Sequence, residues 1–105
     1  MSFTLQDLEA RVALRANADP KESWTAKLVN RGMEQATKKM GEEAVETVIA
    51  ALSQGKKATR EETADLIYHL LVVLHIKGVS VKDVMEELER RTASSGIAEK
   101  ASREK

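Results

Sequence analysis

Carboxylates occur twice in this sequence at spacings that would place them together on one side of a helix. The first group is Glu42, Glu43 and Glu46, in an E-E-x-x-E pattern. At about 100° per residue, these side chains fall within roughly a third of the helix circumference. They flank the apolar stripe of that helix, whereas a solvated face would be centred opposite it. The second group is Glu62 and Asp65, one turn apart at the start of the most apolar helix.

Acidic side chains beside an apolar core repel one another, and they are costly unless a cation joins them. A set of ligands made only of oxygen atoms favours a hard ion. The two groups therefore predict a site for Mg²⁺, with Mn²⁺ as an alternative. The predicted metal ligands are Glu42, Glu43, Glu46, Glu62 and Asp65.

Each acidic group also has an ordinary structural interpretation. Glutamate pairs are common on solvated helix faces with a cation four residues later, but no Lys or Arg occupies that position after any member of the first group. Glu62 could be the capping-box partner of Thr59, and Asp65 an ordinary first-turn acid. We interpret His69, one turn after Asp65, as a core histidine that supports Asp65 or bridges to a second subunit.

Cations next to the acidic groups suggest an anionic substrate. Lys38 and Lys39 directly precede the first group, and Lys27 and Arg31 lie one turn apart on the preceding helix. Any one of them alone would be read as a solvated side chain. Beside a predicted Mg²⁺ site, however, they favour phosphate binding.

Composition excludes several other classes of function. The chain of 105 residues has 17 basic and 17 acidic residues, so it lacks the field that binds nucleic acid or an anionic membrane. Without cysteine it has no disulfide and no thiol nucleophile. The N-terminus lacks a signal-peptide pattern, and the longest apolar stretch is well short of the ~20 residues that span a bilayer. We expect a soluble, cytoplasmic protein.

The elements that must position these residues are helices. Apolar periodicity and capping residues predict five of them, and no strand pattern stands out. Their approximate bounds are Thr4–Ala16, Ser23–Gly32, Met33–Leu52, Thr59–Lys77 and Ser80–Arg91. The expected fold is an all-α bundle in a single domain over residues 1–91, followed by a frayed polar tail over residues 92–105.

The third and fourth helices differ in how their apolar residues are distributed. The third has an apolar stripe made of Ala44, Val45, Val48, Ile49 and Leu52. The fourth is apolar in nearly every direction, which is typical of a buried helix, so burial of Leu70, Leu71 and Val73 predicts a homodimer. Gly41 lies inside the third helix at a cost of roughly 1 kcal/mol, which suggests close approach of a helix or a ligand.

Several strings of residues together resemble a known family. They are S-W-T-A-K-L from Ser23, K-K-M-G-E-E-A-V-E from Lys38, E-T-A-D-L-I-Y-H-L-L from Glu62, G-V-S-V-K-D-V from Gly78 and E-L-E-R-R from Glu87. The chain closely resembles the phosphoribosyl-ATP pyrophosphatases, which belong to the MazG-like all-α nucleotide pyrophosphatases and share E-E-x-x-E followed by E-x-x-D. The resemblance extends to Arg91, with Trp24 where tyrosine is expected.

The resemblance implies hydrolysis of 1-(5-phosphoribosyl)-ATP to 1-(5-phosphoribosyl)-AMP and pyrophosphate in histidine biosynthesis. Glu43 and Glu46 are the expected catalytic residues, and Glu43 acts either as a metal ligand or as the base for the attacking water. Lys38 and Lys39 are expected at the polyphosphate, while Lys27 and Arg31 are candidates for the second phosphate-bearing arm.

Three alternatives compete with this hypothesis. A MazG-like house-cleaning pyrophosphatase for ordinary nucleotides would share the same acids. A non-enzymatic dimerisation module would explain the apolar fourth helix but not the acids beside it. A dimetal oxygen-activating bundle ranks low, because the chain lacks the Glu-x-x-His motifs of that architecture.

Overall fold

Six helices make up the part of the chain that the computed structural model describes, residues 2–93 and 96–103. They are α1 Leu5–Ala16, α2 Trp24–Arg31, α3 Met33–Ser53, α4 Lys56–Lys77, α5 Val81–Thr92 and α6 Gly96–Arg103. No strand occurs in these residues, so the predicted all-α class is confirmed.

Three of the predicted helix starts are confirmed by their caps. Thr4 and Asp7 form a capping box, in which each side chain accepts a hydrogen bond from the other residue's backbone N–H. The hydroxyl groups of Ser23 and Ser80 accept backbone N–H donors at the starts of α2 and α5. These caps satisfy N–H groups that have no partner within the helix.

The predicted start of α4 at Thr59 is wrong. The helix begins at Lys56, with Gly55 in extended conformation as its N-cap. Thr59 lies inside the first turn, and its hydroxyl donates to the Gly55 carbonyl. Glu62 and Asp65 therefore lie in the second and third turns, and neither the capping-box role nor the first-turn role explains them.

Two sharp corners require glycine. Gly32 links α2 directly to α3 at φ 95° and ψ −179°, a conformation that is essentially restricted to glycine. Gly78 ends α4 in the left-handed region, where its N–H donates to the Leu74 carbonyl and Val79 N–H donates to the same oxygen. These corners set the directions in which α3 leaves α2 and α5 leaves α4.

The core lies where α1 and α2 pack against the α3–α4 pair and α5 packs on α1. Helix α3 packs chiefly on α4, and α1 and α2 both contact the far half of α4. The buried apolar residues that form the core cluster are Val12, Leu28, Ala36, Leu71, Val72 and Val81. This arrangement holds α2, α3 and α4 together around the predicted site.

The apolar stripe predicted for α3 does not face this core. Val45, Val48, Ile49 and Leu52, which we call the apolar face of α3, are all exposed, and Leu52 is 83% exposed. The buried positions of α3 are instead Ala36, Glu43 and Ala50. A Cβ atom at Gly41 would meet nothing within 4 Å, so no other described helix approaches this glycine closely.

The buried character predicted for α4 holds only for part of its circumference. Leu71 and Val72 are buried inside the chain, whereas Leu70 is 39% exposed. Within the described residues no single helix is long and apolar enough to cross a membrane, and α4 and α5 pass that test only as a pair bent by 110°.

Helix α6 lies in the stretch where the sequence predicted no regular structure. Its apolar residue Ile97 is 87% exposed. The fraying of residues 92–105 in solution remains a prediction, and so does a domain boundary at residue 91.

Candidate metal site

Glu43 occupies a position that packing alone would give to an apolar residue. Ala36, Glu43 and Ala50 repeat at seven-residue intervals, and this spacing keeps all three on the side of α3 that faces the core. Glu43 is only 5% exposed. The close packing of α3 on α4 therefore directs a carboxylate into the interior of the protein.

The carboxylate of Glu43 meets two others from α4. One ligand oxygen from each of Glu43, Glu62 and Asp65 lies within 4.8 Å of the other two, and we call this set the acidic cluster. Glu43 is buried, Glu62 is half-buried and Asp65 is exposed, so the cluster runs from the interior to the surface. It joins the two acidic groups that the sequence placed on separate helices.

Two oxygen atoms of the acidic cluster lack a hydrogen-bond partner. Oε2 of Glu43 and Oε2 of Glu62 are both buried, and no donor in the described part of the chain reaches either of them. A buried carboxylate without a partner is unfavourable. Such atoms point to a cation as their missing partner, so the cluster is a candidate metal site.

Burial, together with the neighbouring carboxylates, raises the pKa of the Glu62 carboxyl above its ordinary value of 4.5. Burial is the main cause, followed by a hydrogen bond with Glu46 and repulsion from Glu46, Glu43 and Asp65. Proton uptake by Glu62 therefore reduces the negative charge of the acidic cluster. A divalent cation would relieve the same repulsion.

Lys39 is the cation that the structure brings to the acidic cluster. Its Nζ lies 3.1 Å from Oε1 of Glu43 and 3.9 Å from Oε2 of Glu42. The hydrogen bond with Glu43 raises the pKa of Lys39. A search for cations four residues after each glutamate misses this partner, because Lys39 lies four residues before Glu43.

The other predicted ligands lie at the edge of the acidic cluster. Glu46 approaches Glu62 closely enough for a hydrogen bond. Glu42 is exposed, pairs with Lys39 and is not one of the three clustered residues.

The remaining predicted cations are not paired with these acids. Lys38 and Arg31 are exposed, and Lys27 is half-buried. Among the residues that the structure describes, no ion pair joins any of the three to a carboxylate of the cluster.

His69 is buried, as predicted, and contacts Asp65 through the backbone rather than the side chain. Its Nδ1 lies 2.7 Å from the Asp65 carbonyl oxygen, and its Nε2 lies 3.2 Å from Nε1 of Trp24. Beside this ring, the hydroxyl groups of Thr25 and Tyr68 form a second side-chain contact between α2 and α4. Sequence reasoning missed Trp24, Thr25 and Tyr68, because no regular spacing links α2 to α4.

Taken together, the fold and the acidic cluster define an all-α protein with a candidate metal site between two packed helices. Residues 5–92 match the family of phosphoribosyl-ATP pyrophosphohydrolases, and the chain belongs to that family. The resemblance found in the sequence is therefore confirmed.

Curated relatives match almost from end to end. The chain is 60% identical to the phosphoribosyl-ATP pyrophosphatase of Allorhizobium ampelinum over 102 residues, which cover 97% of this chain and 98% of that protein. It is 61% identical to the one from Rhizobium meliloti and 57% identical to the one from Methylobacterium radiotolerans, with coverage of 97% and 95% in both cases.

Proposed function

We propose that this protein hydrolyses 1-(5-phosphoribosyl)-ATP to 1-(5-phosphoribosyl)-AMP and pyrophosphate, the second step of histidine biosynthesis. The single observation that carries the proposal is the acidic cluster with its two unpartnered buried oxygens in a chain of this family. A cytoplasmic location accords with a small-molecule biosynthetic role.

The ion that fits the acidic cluster best is Mg²⁺, with Mn²⁺ as the alternative. The cluster offers only carboxylate oxygens, which are the ligands that hard cations prefer. Glu43, Glu62 and Asp65 would hold the ion, with Glu46 and Glu42 as further ligands at its edge. When bound, Mg²⁺ neutralises charge on the phosphate oxygens and helps to polarise a water molecule.

The reaction breaks the anhydride between the α- and β-phosphates. A water oxygen attacks phosphorus, the bridging P–O bond breaks, and a proton of the water must pass to a base. Catalysis of this kind consists mainly of positioning and charge neutralisation. Glu43 is a ligand or that base, while Glu46 lies close enough to Glu62 for the two carboxylates to share a proton.

The polyphosphate would approach the acidic cluster from the side of the lysines. Lys39 already lies beside Glu43, so it can contact both the cluster and a phosphate oxygen. Lys38 is assigned to the same polyphosphate, and Lys27 with Arg31 to the second phosphate-bearing arm. These three cations are accessible enough for that role.

A homodimer would cover the apolar face of α3. Four neighbouring apolar side chains on one helix face are a poor surface to leave in water. This exposed face supports a second copy of the chain as the partner, and His69, buried within one chain, is not needed as a bridge.

The direct test supplies phosphoribosyl-ATP, ATP and a deoxynucleoside triphosphate to the purified protein with Mg²⁺ or with EDTA. We expect release of pyrophosphate and phosphoribosyl-AMP from phosphoribosyl-ATP, little turnover of the other two, and none with EDTA. Preference for ordinary nucleoside triphosphates would instead indicate a house-cleaning pyrophosphatase. Inactivity on all three would contradict an enzymatic role.

A further inference from the structure

Two hydrogen bonds connect Trp24 on α2 to Asp65 on α4 through the ring of His69. An indole N–H can only donate, so the Nε2 atom of His69 that receives it carries no proton. A backbone carbonyl can only accept, so the Nδ1 atom that faces Asp65 carries the proton. The two partners together assign the neutral Nδ1–H tautomer to His69.

The His69 ring is fixed on both sides as well as at both nitrogen atoms. It is 7% exposed and makes edge-to-face contacts with Trp24 at 6.5 Å and with Tyr68 at 5.7 Å between ring centroids. Because both nitrogens are engaged, His69 presents no free lone pair to the acidic cluster. Its only hydrogen bond to a residue of the acidic cluster is the one to the Asp65 carbonyl.

Burial restrains Asp65 less than it restrains the other two residues of the acidic cluster. Burial between α3 and α4 restrains the carboxylates of Glu43 and Glu62, whereas Asp65 is exposed. The Asp65 carbonyl takes part in the backbone hydrogen bonds of α4 and also accepts from the ring of His69, which Trp24 anchors to α2, so these contacts tie the Asp65 turn of α4 to α2. A displacement of this turn would change the spacing of the three ligand oxygens.

We propose that Trp24 and His69 are positioning residues, which hold the Asp65 turn of α4 at the spacing from Glu43 and Glu62 that a divalent cation requires. The inference rests on the proposed metal site. Supporting residues around metal ligands typically alter metal affinity or activity by about 10–100-fold when they are removed.

The test compares two variants that each remove one hydrogen bond between α2 and α4. Trp24→Phe removes the donor to His69 and keeps an aromatic ring. Tyr68→Phe is the matched control, because it removes the adjacent hydroxyl contact with Thr25 and leaves His69 untouched. The measurements are the His69 tautomer from ¹⁵N NMR of the metal-free protein and the Mn²⁺ dissociation constant from electron paramagnetic resonance.

We expect Trp24→Phe to convert His69 to a mixture of tautomers and to raise the Mn²⁺ dissociation constant about 10-fold. Tyr68→Phe should change neither quantity. His69→Phe provides a second variant whose folding is checked by circular dichroism. It should weaken Mn²⁺ binding similarly, and the double variant should be no weaker than His69→Phe alone, because both changes break one chain of contacts.

Three results would overturn the inference. A folded Trp24→Phe variant with wild-type Mn²⁺ affinity would show that the contact does not position Asp65. An equal loss in Tyr68→Phe would assign the effect to general packing between the helices. Wild-type protein that binds no Mn²⁺ would also overturn it, and only that result would contradict the proposed metal site.

Discussion

The two faces of α3 reverse the usual distribution of side chains. On the face that packs against α4, the charged residue Glu43 is 5% exposed. On the apolar face, Ile49 is 48% exposed and Leu52 83% exposed. A helix at the surface of a globular protein normally buries its apolar side chains and exposes its charged ones.

A single chain without ligands does not explain this distribution of side chains on α3. Burial of Glu43 is favourable only when another charge compensates it, and Lys39 reaches only one of its two oxygens. Exposure of the apolar face is favourable only when another surface covers it. We therefore interpret one face as a metal site and the other as a contact between subunits.

The largest effect should come from neutralising the charged face. Glu43→Gln and Asp65→Asn keep the size of each side chain and remove one negative charge from the acidic cluster. We expect each to lower kcat by orders of magnitude with the fold intact, because charge neutralisation at the phosphates contributes several kcal/mol to the barrier. Steady-state kinetics on phosphoribosyl-ATP, with circular dichroism as the folding control, test this. A variant with near-wild-type turnover and unchanged Mg²⁺ dependence would remove that residue from the site.

The next largest effect should come from placing a charge on the apolar face. Ile49→Lys should convert a dimer to a folded monomer, since the lysine would be buried without a partner at the interface. Leu14→Lys is the matched control, because Leu14 is an exposed apolar residue on α1, which packs on α2, α4 and α5 rather than on α3. Analytical ultracentrifugation decides the question, and two variants with the same sedimentation as wild type would place the interface elsewhere.

A smaller effect should come from Lys39, the lysine that pairs with Glu43 of the acidic cluster. Lys39→Ala leaves the buried Glu43 carboxylate without its ion pair, which should lower the free energy of unfolding of the metal-free protein by about 1–2 kcal/mol. Lys38→Ala is the neighbouring control, directed about 100° away on α3. Urea unfolding in EDTA compares them, and equal stability of the two variants would contradict the role assigned to the Lys39–Glu43 pair.

The smallest effect should be a dependence of stability on pH. Because the pKa of Glu62 is raised above 4.5, the folded state takes up a proton before the unfolded chain does. The unfavourable charge is fully present above the folded-state pKa and is lost as the pH falls toward 4.5. Glu62→Gln should therefore stabilise the metal-free protein at neutral pH, with a gain that shrinks on acidification. Thermal melts in EDTA across this range test the sign, and a gain independent of pH would contradict it.

Most of the fold could be predicted because local signals determine it. Thr4, Ser23 and Ser80 are followed by helical patterns and cap their helices as expected. Thr59 has the same sequence signal, but Lys56 extends α4 by a turn before it, because residues 56–58 are compatible with a helix. Capping residues predict where a helix can begin, and they do not exclude an earlier start.

The candidate site could be predicted in its residue types but not in its geometry. Spacing identified Glu43, Glu62 and Asp65, yet only the packing of α3 on α4 shows that Glu43 is the buried member. The contact from Trp24 to His69 joins residues 45 positions apart, so no local pattern contains it. Periodicity identifies the apolar stripe of α3, but it does not reveal which surface covers that stripe.

We propose above that the acidic cluster between α3 and α4 binds a divalent cation. The most direct measurement is a Mn²⁺ titration of the metal-free protein, without substrate, followed by electron paramagnetic resonance for the wild type and for Glu43→Gln. We predict saturable binding by the wild type, competition by Mg²⁺, and a loss of affinity of at least 10-fold in the variant. Equal binding by both proteins, or no saturable binding by the wild type, would contradict the claim.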